Sequence, residues 1–284
     1  MRAPYDTPVR ALVVDDLGRP VLADVPEPQR PVRVLAAGLC GSDLEKLGTP
    51  GAALGHEVVV ESDGRRLALV HHRPCGECRR CRAGHESTCA RFAEPTIRPS
   101  GFAERVEESE GVELPDGVSD AVGTYVEPLA CVLRGLARVP RGRVLVVGCG
   151  FVGRLFAAVL ARRGDDVFAL EPRADRRCAP PPDGPVDAAV LCAPAGGDDA
   201  LALLAPGGTL VVFAAGGGVD LDAVYRRELT LVGSRSATPE TMVEAARLLP
   251  ELDLPDPVVL PLERFHEGLE SYRSGDALKV VFTP

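Results

Sequence analysis

Short apolar runs broken by Gly, Pro and charged residues fill the first part of the chain. Ala11 to Val14, Val32 to Leu35 and Val58 to Val60 carry β-branched residues, and the punctuation from Val9 to about Val70 predicts a compact β-rich module with many turns. At Arg143 the pattern changes. Arg143 to Val147 predicts an apolar strand, Gly148 to Gly153 a glycine loop, Leu155 to Ala161 the apolar start of a helix, and Val167 to Leu170 a second strand, which together open a βαβ unit.

Val186 to Leu191, Thr209 to Phe213 and Leu229 to Val232 predict further strands, with a short helix near Ala200 to Leu204. Thr238 and Pro239 have the residue types of an N-cap and a first helical position, so a helix is expected from Pro239 to Leu249. Val258 to Leu260 and Leu278 to Phe282 predict strands flanking a helix at Leu262 to Tyr272. Between the second strand of the βαβ unit and Val186 lies only Arg173 to Pro185. Its end, Ala179-Pro180-Pro181-Pro182-Asp183-Gly184-Pro185, is too proline-rich for a helix or a central strand and reads as a stiff loop.

At 284 residues two domains are expected. A net charge of −9, with no clustered basic surplus, excludes a phosphate-binding face for nucleic acid. The N-terminus has no basic segment followed by an apolar one, and no apolar stretch approaches the ~18 residues that cross a bilayer, so a cytoplasmic protein without a membrane partner is expected. In that setting nine cysteines suggest metal ligation or chemistry ahead of disulfides.

Cys75-x-x-Cys78-x-x-Cys81 followed by Cys89 supplies four thiolates at spacings that can close a tetrahedral shell on Zn²⁺. An iron–sulfur cluster is the alternative, because cysteine runs of this kind also hold iron. Cys40, His56, Glu57 and Glu127 offer thiolate, imidazole and carboxylate, the donor types of a zinc site that keeps a position open.

The segment Pro74-Cys75-Gly76-Glu77-Cys78-Arg79-Arg80-Cys81-Arg82-Ala83-Gly84 to Cys89 resembles the structural zinc lobe of medium-chain zinc-dependent alcohol dehydrogenases, notably the sorbitol and threonine dehydrogenase branch. Ala37-Gly38-Leu39-Cys40-Gly41-Ser42-Asp43, Leu54-Gly55-His56-Glu57, Glu127-Pro128-Leu129-Ala130 and the glycine loop follow the family's order, so the resemblance spans essentially the whole chain. It implies an α/β protein: a GroES-like β-rich catalytic domain at 1–120, a Rossmann doubly wound parallel sheet at 121–245, and a return to the catalytic domain at 246–284. The short Arg173 to Pro185 segment leaves no room for one strand–helix unit, so about five Rossmann strands are expected in place of six.

The same resemblance implies Cys40 and His56 as ligands of a catalytic zinc, with Glu127 or Glu57 as the third. It implies Ser42 as a proton relay and Asp43 as the carboxylate that orients His56. His71, His72, His85 and His266 fit no motif and are expected at the surface or in loops. The expected reaction is hydride transfer between a secondary alcohol (a polyol, sugar or amino alcohol) and NAD. Zinc-assisted reduction of an aldehyde or conjugated carbonyl, and a non-catalytic nucleotide- or zinc-binding protein, are the alternatives.

Gly148-x-Gly150-x-x-Gly153, with Phe151 and Val152 inside it, sits between strand and helix as a pyrophosphate loop does. Glu171 closes the second strand, where a carboxylate accepts from ribose hydroxyls and repels a 2′-phosphate, so NAD is expected over NADP. Arg173 is the residue that could instead pair with that phosphate. Arg176 matches a family position contacting the adenosine ribose, and Lys279 one contacting the pyrophosphate. A homo-oligomer is expected, both from the resemblance and from an open sheet edge where the strand–helix unit is missing.

Overall fold

The computed structural model describes residues 8–215 and 217–284; the reading of the N-terminus at 1–7 lies outside them. The chain divides into two compact units. One combines 1–130, 237–251 and 255–284, and the other takes 131–236 with 252–254.

The first unit is built on β1 (Val9–Val14), β2 (Pro20–Val25), β3 (Pro31–Gly38), α1 (Gly41–Lys46), β4 (Glu57–Ser62), β5 (Arg65–Leu69), α2 (Arg79–Arg82), β6 (Arg105–Glu107), β7 (Gly111–Glu113), α3 (Asp120–Gly123) and the start of α4 (Val126–Leu136). In the second unit follow β8 (Arg143–Val147), α5 (Phe151–Arg163), β9 (Asp166–Leu170), β10 (Val186–Leu191), α6 (Gly197–Leu203), β11 (Leu204–Val212), α7 (Leu221–Arg226) and β12 (Thr230–Gly233). The chain then rejoins the first unit with α8 (Pro239–Leu248), β13 (Val258–Pro261), α9 (Phe265–Ser274) and β14 (Val280–Thr283).

β1 and β2 form an antiparallel pair. The larger sheet of the first unit runs β13-β14-β3-β4-β5-β7, with β6 also on β3. β3 and β4 are antiparallel, and their register sets Gly38 opposite Glu57. This pairing puts the residues after β3 beside those that open β4. Buried aliphatics from β1, β3, β4 and β14 pack around Phe102, Phe265 and Phe282, whose ring centroids lie 5.1–5.6 Å apart. The offset and edge-on contacts of such rings add to the burial of their area.

The second unit holds a five-stranded parallel sheet in the order β12-β11-β10-β8-β9, as the short Arg173 to Pro185 segment predicts. Val144 to Val147 and Ala188 to Leu191 are buried without alternation, as befits parallel strands covered on both faces. The chain leaves β8 toward β9 and later returns to its other side with β10, so the strand order reverses beside the glycine loop that follows β8. In open α/β sheets such a reversal is where ligands bind. The segment after β9 holds one 3₁₀ turn at Ala174–Arg176, and Pro180 O accepts a hydrogen bond from Ala169 N (2.8 Å), so the link lies along the β9 edge.

Candidate functional site

Two groups of metal-ligating side chains come together among the described residues: Cys75, Cys78, Cys81 and Cys89, and Cys40, His56 and Glu57. In each group the ligand atoms lie within 4.8 Å of one another.

Cys40 precedes α1, while His56 and Glu57 enter β4, so the β3–β4 pairing carries all three to one place. His56 and Glu57 are buried. Asp43, in the first turn of α1, ties the site together. Its Oδ2 accepts from Cys40 N (3.1 Å), its Oδ1 accepts from Gly55 N (2.9 Å), and Oδ1 stands 3.5 Å from His56 Nδ1. That placement sets a carboxylate on Nδ1 and leaves Nε2 to ligate. Burial pushes the Asp43 carboxyl up, but the His56 charge and these hydrogen bonds outweigh it and hold the group below its ordinary range. Burial likewise presses the His56 pKa down, and the Cys40 thiol and Asp43 carboxyl override it, raising it well above the ordinary value. A site that draws a proton onto a buried imidazole carries surplus negative charge, and a divalent cation suits that donor set.

Glu57 Oε2 is in close contact with Lys279 Nζ, which also donates to Leu39 O (3.0 Å). Both side chains are buried. In place of a cation free to reach a pyrophosphate, Lys279 is thus a buried partner of Glu57. Gly38 faces the pair closely, since a Cβ there would come within 2.2 Å of Glu57 Oε2. Glu127 is buried in the first turn of α4 but stands outside the Cys40, His56 and Glu57 group. Ser42 lies half-buried in the first turn of α1.

Two neighbours carry no sequence signal. The His71 ring centroid is 4.5 Å from that of His56, and burial, followed by the His56 charge, holds the His71 pKa down at about 3. Its neighbour His72 is 5% exposed, with Nε2 3.1 Å from Glu86 O, so both histidines lie in a loop, as expected, but packed inward and away from the surface. Arg73 and Pro74 separate the doublet from Cys75, and nothing in its spacing marks a site. Tyr272, on α9, would put its hydroxyl 3.6 Å from a Cβ at Gly41, and burial followed by the Cys40 charge raises its pKa.

The four-cysteine lobe is organised by N–H···S bonds. Cys78 N donates to Cys75 Sγ, Cys81 N to Cys78 Sγ, and both Cys75 N and Arg91 N to Cys89 Sγ, all at 3.4 Å. Amides of Ala90 and Cys81 hold the Cys78 thiol down at about 6. Sulfurs of a tetrahedral zinc site, at Zn–S of about 2.3 Å, stand roughly 3.8 Å apart. Here Cys75 and Cys81 are 3.9 Å apart and Cys78 and Cys81 3.5 Å. One tetrahedral ion fits this spacing, whereas a multi-iron cluster would spread its cysteines farther.

At the glycine loop Gly148 has φ +89°, and a Cβ on Gly153 would come within 1.9 Å of Gly148 O, so no other residue permits this turn. Gly150 caps α5, with Phe151 and Val152 in its first turn. Glu171 closes β9 and braces the loop: Oε2 accepts from Cys149 N (2.9 Å) and Oε1 from Arg173 N (3.1 Å). The Arg173 guanidinium is engaged by Asp175 (2.9 Å). Arg154 Nη2 donates to Arg176 O (2.9 Å), while Arg154 Nε and Arg176 Nη2 are buried with no hydrogen-bond partner. Buried donors without acceptors are costly, and a ligand can supply the acceptor.

No family model matches the chain. It is similar to D-altritol 5-dehydrogenase of Agrobacterium fabrum, with 29% identity over 80% of this chain and 84% of that protein. It is also similar to sorbitol dehydrogenase of Halalkalibacterium halodurans, with 26% identity over 94% of this chain and 96% of that one. The second alignment runs over 330 residues against a chain of 284, so gaps fall within this sequence. Among solved structures, a cobalt- and zinc-bound thermostable alcohol dehydrogenase from Pyrobaculum aerophilum shares the fold, with a TM-score of 0.84 at 21% identity over 98% of this chain and all of that one. The chain is thus similar to polyol dehydrogenases and shares the fold of a zinc-bound alcohol dehydrogenase, the likeness that its motifs imply.

Proposed function

We propose that the protein oxidises a secondary alcohol of the polyol or sugar-alcohol class reversibly to the ketone, with NAD as hydride acceptor. The observation that carries this reading is the meeting of Cys40, His56 and Glu57 at one place whose charge invites a divalent cation. Zinc, when bound, supplies Lewis acidity that makes an alcohol hydroxyl more acidic.

Cys40, His56 and Glu57 would hold that ion, and Asp43 keeps the imidazole in place. Glu127, in the first turn of α4, is the carboxylate in reserve. Ser42, on the same turn as Asp43, takes the proton from the hydroxyl and passes it outward. Cys75, Cys78, Cys81 and Cys89 would hold a second ion of purely structural use. The backbone amides of 148–153 and the N-terminus of α5 receive the pyrophosphate, and Arg176 supplies its unpartnered Nη2 to the nucleotide. Glu171 favours NAD, and Arg173, held by Asp175, does not compete for a 2′-phosphate.

The relatives' names point to polyols: D-altritol 5-dehydrogenase and sorbitol dehydrogenase act on such alcohols. We extend the proposal to a cytoplasmic homo-oligomer. Its support is that all nine cysteines are free and that Leu221 and Tyr225 on α7 are 70% and 80% exposed.

The test is a panel of polyols, amino alcohols, aldehydes and enones, followed by nicotinamide absorbance with NAD and with NADP on zinc-loaded protein. Turnover of secondary polyols with NAD is expected. Turnover confined to aldehydes or enones, or none with any substrate, would overturn the reading.

A further inference from the structure

Two cysteines outside both metal-ligating groups meet beside the glycine loop. Cys149 lies between Gly148 and Gly150 and is fully buried, whereas Cys178, in the link that follows β9, is partly exposed. Their sulfurs are 2.7 Å apart, and Cys178 N donates to Cys149 Sγ at 3.4 Å. A disulfide bond is about 2.05 Å long, and two cysteines can be bridged without backbone rearrangement only where the chain already brings them together. The turn and the link do that here. Neither residue has a third ligand within reach, since the only metal-ligating groups among the described residues are the two already named.

We propose that Cys149 and Cys178 form a modification site, a reversible disulfide that latches the 173–185 link to the glycine loop. The link stands where a strand–helix unit is missing, and single bonds at scattered points hold it, among them Ala169 N to Pro180 O (2.8 Å), Arg154 Nη2 to Arg176 O (2.9 Å), Arg177 Nε to Glu171 O (3.4 Å) and Arg143 Nε to Pro185 O (3.0 Å). A covalent tie across the 29-residue separation would add to those bonds a restraint that local opening cannot break.

The oxidant is a low-molecular-weight disulfide. The exposed Cys178 thiol attacks one of its sulfurs, forming a mixed disulfide, and the first small thiol leaves carrying the Cys178 proton. Cys149 Sγ then attacks the Cys178 sulfur, and the second small thiol leaves with the Cys149 proton. Two electrons and two protons pass to the small disulfide, which becomes two thiols, and an excess of dithiol reverses both steps. The hydrogen bond from Cys178 holds the Cys149 thiol down to about 7, which suits it to the second, displacing attack, and raises the Cys178 thiol, so the first attack is the slow step.

The crosslink itself does not depend on the glycine loop binding NAD, so it can stand or fall apart from that reading. Zinc-loaded protein is incubated with oxidised glutathione, alkylated and peptide-mapped, and its tryptic cleavage at Arg173, Arg176 and Arg177 is timed with and without dithiothreitol. The expected result is a peptide joining Cys149 to Cys178, with cleavage of the link slowed at least several-fold and restored by reductant. Cys178→Ser should show neither effect, and because the oxidised and reduced wild type are compared directly, the test holds even if that variant folds poorly. Glutathione adducts without the Cys149–Cys178 peptide, or equal cleavage rates in the two redox states, would overturn the proposal.

Discussion

Lys279 Nζ and Glu57 Oε2 form a buried ion pair that joins β14 to the first residue of β4, inside the group that also holds Cys40 and His56. Breaking a buried pair by removing one partner typically costs about 3–5 kcal/mol, because the survivor is left charged and unpaired. Lys279→Met is expected to lower unfolding stability by that order in metal-free protein, with part of the loss recovered in Lys279→Met/Glu57→Gln. Denaturant unfolding of the three proteins checks this. A single variant as stable as wild type would mean that the pair contributes nothing.

The two metal-ligating groups are expected to fail differently. Cys40→Ala should abolish turnover and leave thermal unfolding close to wild type. Cys78→Ala should lower the unfolding temperature and the zinc content by one ion per chain, because a structural ion couples to the folding of its lobe. Elemental analysis beside a thermal scan distinguishes them. Wild-type protein with one zinc or none would count against two sites.

Cofactor preference is expected to follow Glu171. Glu171→Ser should raise catalytic efficiency with NADP relative to NAD, by removing like charge from the ribose side and releasing its hold on Cys149 N. Arg173→Ala should change the ratio little, since that guanidinium already faces Asp175. Measured kcat/KM for both nucleotides decides, and a large shift in Arg173→Ala alone would transfer the role to that residue.

Asp165 links the end of α5 to the start of β8: Oδ1 accepts from Gly142 N (3.0 Å), and Oδ2 accepts from Arg163 Nε. Burial raises its pKa, but these bonds outweigh it and the carboxyl is held below its ordinary value. A depressed folded pKa contributes stability that is present above the unfolded value, near ~3.9, and is lost as pH falls through the folded one. Asp165→Asn should therefore cost about 1–3 kcal/mol at pH 7, with the gap from wild type closing below pH ~4. Urea unfolding across that range checks the sign.

Much of this could be read from residue order because the relevant signals are local. The turn from β8 through Gly148 to α5 needs glycines at fixed offsets, and the four cysteines of the lobe fall within one short loop, so neither depends on distant chain. The short segment after Glu171 likewise reveals a five-stranded sheet. What the sequence could not show is set by pairing across distance. Lys279 reaches Glu57 only because β14 docks on β3. His71 meets His56 only when β5 returns beside β4, and nothing in the His71-His72 doublet separates a loop residue from one packed on a ligand. The place of Glu127 was also hidden, because Glu-Pro-Leu-Ala reads as a motif without revealing that Pro128 sits in the first turn of a helix, where proline is tolerated.

The interleaving of the first unit has a consequence for how the chain is made. Its large sheet places β14, from the last residues, between β13 and β3, whereas the second unit is almost wholly one continuous stretch. During translation, 131–236 emerges complete and can collapse on its own parallel sheet. The first unit, by contrast, leaves part of the β3 edge open until β14 has followed. The large sheet beside Cys40 and His56 therefore closes after the second unit has been made, whereas the four-cysteine lobe, complete at Cys89, can take up an ion well before that.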